Sequence, residues 1–169
     1  MSEGIMSVEA TRRIMAPAAR LFEILANPRR HADFDGSDML RGATSNQLIS
    51  GVGDTFTMKM HRFGRDYIMV NHVVVYEQDR RIAWEPAPGD VATAGGDPAR
   101  VGVPAGYRWG YSLTPVGETV TVVTESFDCG NEDGKWILLK EDGRWINGSN
   151  TVVESMADSL ERLERISTE

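Results

Sequence analysis

The titratable side chains with a spacing that could do chemistry gather in HADFDGSD, where His31, Asp33, Asp35 and Asp38 lie within eight residues. His-x-Asp-x-Asp offers ligands to a cation, but the spacing of a calcium loop is missing and no second histidine is near, so no metal is expected. Asp35 has a commoner use, accepting backbone N–H bonds inside its own DGSD turn. At the mouth of a cavity, His31 or Asp35 could also act as acid or base. Ser37, Ser45 and Ser126 lack the strand-turn-helix setting of a nucleophile. Cys129, the single cysteine, has no partner base and no mate for a disulfide or zinc. No glycine-rich phosphate loop and no basic-aromatic interleaving occur, so neither a cofactor nor nucleic acid is expected. No catalytic residue is assigned from these groups.

Asn71 stands in an apolar strand pattern, and an amide buried there costs about 1–3 kcal/mol unless it finds a protein, water or ligand partner. Met58, Met60 and Met69 around it would make an adaptable wall, because unbranched thioethers fill irregular gaps; the same methionines could equally fill a solid core. Trp84 and Trp109 are open to the same two uses, core or stacking platform.

The chain has 169 residues, 41% hydrophobic and 25% charged, as expected of one domain over residues 7–169 after a disordered tail of residues 1–6. Its net charge of −7 is local: residues 1–117 hold thirteen acids and thirteen bases, residues 118–169 twelve acids and five bases. That acidic third argues against nucleic acid and anionic membranes as partners. With a lone cysteine, no signal peptide and no apolar run long enough for a membrane span, a cytoplasmic protein without membrane insertion is expected. A homodimer is left open.

Alternation over Ser7–Ile14 predicts a first strand with Val8, Ala10, Arg12 and Ile14 on one face. Pro17 suits the first position of a helix with Leu21, Phe22, Ile24 and Leu25 inside, and Asn27 caps a second short helix from Pro28 to Phe34. Met39–Leu48 reads as a polar strand. Thr55–Phe63 and Asp66–Glu77 flank Gly64-Arg65 as a type II′ hairpin; with Phe63 opposite Asp66, Met60 faces Met69, Met58 faces Asn71 and Phe56 faces Val73. Val73 then pairs with Trp84 and Val75 with Ile82, leaving His72 and Glu85 on the other face. Tyr107–Thr114 and Thr119–Cys129 turn at residues 115–118. With Thr114 opposite Thr119, Tyr107, Trp109, Tyr111 and Leu113 share the inner face with Val120, Val122, Thr124 and Ser126, and Arg108 meets Glu125 outside as a surface ion pair. Pro86–Gly106 lacks periodicity and is either a functional or a disordered loop. Gly130–Asn150 fits a strand, a short helix or the frayed front of the last helix.

That last helix, Thr151–Ile166, would be about 24 Å long. It carries one apolar stripe of Val152, Val153, Met156, Leu160 and Leu163, with a Thr151/Glu154 capping box at its start.

Strand, two short helices, six more antiparallel strands and a long final helix is an α+β order in which a curved sheet wraps one helix. That order, with RRIMAPAARLFEILANPRRHADFDGSDML, the hairpin YRWGYSLTPVGETVTVVTESFD and the closing helix, resembles the START-like (SRPBCC) superfamily in its polyketide cyclase/dehydrase-like branch, over about Val8 to Ile166. The resemblance implies a helix-grip fold, a curved antiparallel sheet of about seven strands around a long C-terminal helix, with two short helices after the first strand. It also implies an apolar cavity between sheet and helix, and no particular reaction.

The expected lining is Phe56, Met58, Met60, Met69, Asn71, Trp84, Trp109, Tyr111 and Val122 from the sheet, with Met156 and Leu160 from the helix. The inward strand positions hold no Asp, Glu, His, Lys or Arg, which counts against proton transfer and toward binding of a hydrophobic small molecule such as a lipid, polyketide or isoprenoid. A cyclase or dehydratase using the same cavity, and a protein-interaction module using the acidic last third, remain as alternatives.

Overall fold

The computed structural model describes residues 6–62, 64–129 and 152–169. β1 (Met6–Ile14) runs antiparallel beside β7 (Thr121–Cys129), so Met6 belongs to the strand and not to the expected tail; residues 1–5 lie outside the described residues. Pro17, with φ −65°, stands at the N-cap of α1 (Ala18–Leu25), which buries Leu21, Phe22, Ile24 and Leu25 along its apolar face. Asn27 accepts the Arg29 N–H at 3.2 Å and opens a 3-10 turn (Pro28–Arg30) that leads directly into α2 (His31–Phe34).

β2 (Leu40–Ala43) is far shorter than the polar Met39–Leu48 stretch, and a register shift after Leu40 makes it an irregular edge beside β3 (Thr55–Arg62). With β4 (Arg65–Glu77), β5 (Arg81–Pro88) and β6 (Tyr107–Pro115), the described strands form one curved antiparallel sheet of seven strands in the order β1-β7-β6-β5-β4-β3-β2. α3 (Val152–Ser167) packs on β1 and α2 and buries Val152, Met156, Leu160 and Leu163. Val153 is 42% exposed, since one residue is a turn of about 100° and carries it off the stripe. The capping-box residue Thr151 and the unassigned stretch Gly130–Asn150 lie outside the described residues.

Three pairings differ from the expected ones, with different consequences. In the β3–β4 hairpin Arg62 opposes Arg65, so Met60 meets Tyr67, Met58 meets Met69 and Phe56 meets Asn71. The slip is two residues, and because side chains alternate with period two, every inward residue stays inward. Between Val73 and Val75 a bulge moves the inward position from Val75 to Tyr76, which opposes Ile82 and packs edge-on against Phe22 with ring centroids 5.3 Å apart.

The β6–β7 hairpin slips by three. Pro115 opposes Thr121 and the Val116 N–H bonds the Val120 carbonyl, so the loop holds an odd number of residues between paired positions and β7 turns over. Thr121, Val123, Glu125, Phe127 and Cys129 face inward and are buried, whereas Val122, Thr124 and Ser126 lie on the outer face. Arg108, expected against Glu125, instead binds Glu85 at 2.8 Å.

β5 continues through Pro86 and Pro88, which oppose Asn71 and Met69; β6 pairs only with Arg81–Trp84, so prolines beyond it lose no ladder bond on that side. The rest of the loop is ordered against the sheet: Gly102 N–H bonds Pro88 O at 2.8 Å, Ala105 N–H bonds Pro86 O at 2.9 Å, and His72 Nε2 donates to Gly102 O at 2.9 Å. The solid core joins Ile14, Leu21, Ile24, Leu25, Val73, Ile82, Val123, Leu160 and Leu163; Met39, Phe127, Cys129, Val152 and Met156 form a second cluster. Among the described residues no helix is long and apolar enough to cross a membrane.

Candidate functional site

A cavity of about 180 Å³ lies between the inner face of β3–β7, α2 with the turn after it, and the first two turns of α3. Phe56, Met58, Met60, Met69, Asn71, Trp84, Trp109 and Tyr111 line it, as their shared inward parity requires, and Met156 joins them from the apolar stripe of α3. Two expected residues do not. Val122 is on the outer face of β7, and Leu160, one turn beyond Met156, belongs to the solid core. Of the long Gly89–Gly106 stretch nothing reaches the wall; Pro86 alone of Pro86–Gly106 does.

The Asp35 turn is built as its sequence suggests. Asp35 Oδ1 accepts the Ser37 N–H at 3.1 Å, Ser37 Oγ lies 2.8 Å from both carboxylate oxygens, and Oδ2 receives the Leu40 N–H at 3.4 Å. Gly36 lets this turn touch α3: its N–H donates to Ser159 Oγ at 2.7 Å, and a Cβ there would stand 2.8 Å from Ser159 N. Asp35 is thereby held at the cavity wall while its carboxylate is occupied by its own turn. Among the described residues no group of three or more His, Cys, Asp or Glu side chains could hold a metal.

His31 is not at a mouth but buried in the wall. Its ring stacks on Trp84 at 5.1 Å and meets Phe34 and Phe56 edge-on, and Nε2 lies 2.7 Å from Leu25 O. Burial outweighs the carbonyl bond and pushes the imidazole down to about 4, so at neutral pH it is uncharged and donates from Nε2. That is a structural histidine that happens to face the void.

Glu125, expected on the outer face of β7, stands on its inner face. It projects from β7 between Ala10 on β1 and Tyr111 on β6, is 6% exposed, and lines the cavity. The Tyr111 hydroxyl donates to Oε1 at 2.9 Å, while Oε2 is buried with no hydrogen-bond partner among the described residues. Burial pushes this carboxyl up to about 8; the Tyr111 bond works against the shift and the nearby Asp35 charge adds to it. Burial, and then the Glu125 charge, hold the Tyr111 phenol well above its ordinary value. Tyr67, also in the wall, is pushed up to about 12 by burial against the pull of Arg62, which bonds its hydroxyl.

Two further polar residues line the void. Ser155 Oγ on α3 is buried and has no partner among the described residues, and Asn71 Nδ2 makes one long bond, 3.4 Å, to Phe56 O. The cavity is therefore an apolar, aromatic and thioether chamber with a few fixed polar points, the composition of a small-molecule site.

No family model matches the chain. Over 115 residues, 68% of this chain, it is 33% identical to an uncharacterized protein of Mycobacterium tuberculosis, of which it covers 44%. The chain thus spans less than half the length of the curated relatives it matches. Among solved structures, major latex-like protein 151 of Panax ginseng superposes with a TM-score of 0.62 at 11% identity, over 96% of this chain and 97% of that one. A Polyketide_cyc-like protein of Corynebacterium glutamicum superposes with a TM-score of 0.51 at 18% identity, over 99% of this chain and 83% of that one. At such identities the likeness is one of fold. With its curved sheet of seven described strands closed around a long last helix, this chain has the helix-grip fold of the START-like (SRPBCC) superfamily that its sequence resembles.

Proposed function

We propose that this chain binds a hydrophobic small molecule in the cavity between its sheet and α3. The observation that supports this is the void itself, about 180 Å³ walled by five methionines, two tryptophans and two phenylalanines. Close-packed interiors leave few holes larger than a water, and an apolar hole of about 150 Å³ is enough to take up benzene. The size favours one ring with a short substituent, or an acyl or polyketide-like chain of about eight carbons. Such a chain would contribute about 6 kcal/mol of gross burial before association costs, which corresponds to weak or micromolar binding unless polar contacts add to it.

The test is displacement of an apolar fluorescent probe together with native mass spectrometry of the purified protein. Met60→Trp should fill the chamber and abolish probe binding while cooperative unfolding is kept. A probe that never binds, or that binds Met60→Trp as well as the unaltered protein, would remove the reading.

A second reading, a cyclase or dehydratase acting in the same chamber, is favoured by one observation: Glu125 and Tyr111 supply a titratable, hydrogen-bonded pair where the sequence suggested none. Turnover whose pH profile loses one limb in Glu125→Gln would support it; binding without turnover leaves the carrier reading.

A further inference from the structure

We infer that the buried carboxyl of Glu125 acts as a hydrogen-bond donor to the cavity's occupant, so that the ligand carries a carbonyl or similar uncharged acceptor oxygen at the end that meets Oε2. This rests on the cavity being a ligand site and adds which chemical class it selects.

The argument is one of hydrogen-bond accounting. A phenol has one proton to donate, and Tyr111 spends it on Oε1. Oε1 is thus the carbonyl-like oxygen, and a proton on the carboxyl belongs on Oε2, which has no acceptor among the described residues. A buried donor left without an acceptor is costly, so such groups almost always have a protein, water or ligand partner. Glu125 is one of the residues that line the chamber, and the chamber's occupant is the partner left to supply one.

The surroundings keep the acid neutral. Facing Glu125 are Tyr111 from β6, Ala10 from β1 and the Asp35 carboxylate from the turn after α2. The other titratable wall residues are Tyr67 and Tyr107, His31, which is uncharged, and Arg62, which bonds Tyr67. From α3 come only Ser155, Ser159, Val152 and Met156. An ionised Glu125 would put a second negative charge beside Asp35 in an apolar space, and burial accordingly pushes its carboxyl up to about 8. An acid held neutral in an apolar site can polarise a carbonyl without carrying charge.

The experiment compares two molecules of nearly equal shape, acetophenone and ethylbenzene, with benzamidine, which stays protonated at both pH values, as the cationic control, by NMR titration at pH 6.5 and 9.5. The unaltered protein should favour acetophenone relative to ethylbenzene about three- to tenfold more at pH 6.5 than at 9.5, the span one hydrogen bond supplies. Glu125→Gln keeps both a donor and an acceptor for Tyr111, so it should hold the preference at both pH values. The double variant Glu125→Leu/Tyr111→Phe removes the acid and the hydroxyl that could replace it, and should lose the preference while still binding ethylbenzene.

An unchanged preference in the double variant overturns the inference and leaves the cavity reading standing. So does benzamidine binding that tightens at pH 9.5 while the ketone preference does not fall, which would mark a carboxylate site for cations. Failure of both neutral molecules to bind overturns the cavity reading itself.

Discussion

Tyr111 and Glu125 face each other across the β6–β7 ladder, and the phenol hydroxyl donates to Glu125 Oε1 at 2.9 Å on the inner side of the sheet. The contact joins the fold to the chemistry: the same register that buries Val123 and Phe127 carries a carboxyl into an apolar chamber. Burial of that carboxyl and of the His31 imidazole makes folding sensitive to pH in opposite senses.

Glu125→Gln should raise stability at neutral pH. The folded carboxyl stays protonated up to about 8, above its ordinary 4.5. Its contribution is therefore complete below pH 4.5 and is lost as pH rises toward 8, at up to about 1.4 kcal/mol per pH unit. The amide carries no such dependence. Denaturant midpoints of the two proteins should converge near pH 4.5 and separate as pH rises; parallel curves would show that Glu125 ionises freely.

His31 works in the other direction. Its folded value near 4 lies below the ordinary 6.5, so its contribution is complete above pH 6.5 and is lost as pH falls to 4. Between pH 4.5 and 6.5 the two slopes cancel, and stability should be flat and highest there. His31→Phe should remove the acid-side loss while keeping the stack on Trp84. It should cost about 1–2 kcal/mol at pH 7, because the Leu25 carbonyl loses its donor. Equilibrium unfolding from pH 4 to 8 measures both effects.

Gly36→Ala should destabilise by about 1–3 kcal/mol, since the new methyl meets α3 backbone that cannot yield as a flexible side chain would. Faster amide exchange of the Gly36 N–H, which is bonded to Ser159 Oγ, would locate the damage at the turn. An unaltered unfolding midpoint would show that the turn does not pack there.

Val123→Ala and Val122→Ala read the β7 register directly. Val123 is fully buried and its truncation should cost about 1–3 kcal/mol. Val122 lies on the outer face opposite Arg13 and Thr114, and its truncation should stay within about 0.5 kcal/mol. Equal or reversed costs in thermal unfolding would return β7 to the opposite face and take Glu125 out of the cavity.

Local pattern determined the element order, the antiparallel succession, the Asn27 cap, the Asp35 turn and the inward face of β3 and β4, because each depends on neighbouring residues or on period-two alternation. Eight of the expected lining residues followed from that parity, and Met156 from the apolar stripe of the last helix. Parity survives a slip of two and is reversed by a slip of three, so the unmarked loop at residues 116–120 decided which side of β7 faced the helix. Val122 and Glu125 exchanged places for that reason alone. Only the tertiary structure could set the length of that loop, place the Val73 to Val75 bulge and bury His31 against Trp84. Those depend on which odd or even pairing packs β1, α2 and α3 over the sheet, and no nearby residue in the chain records that.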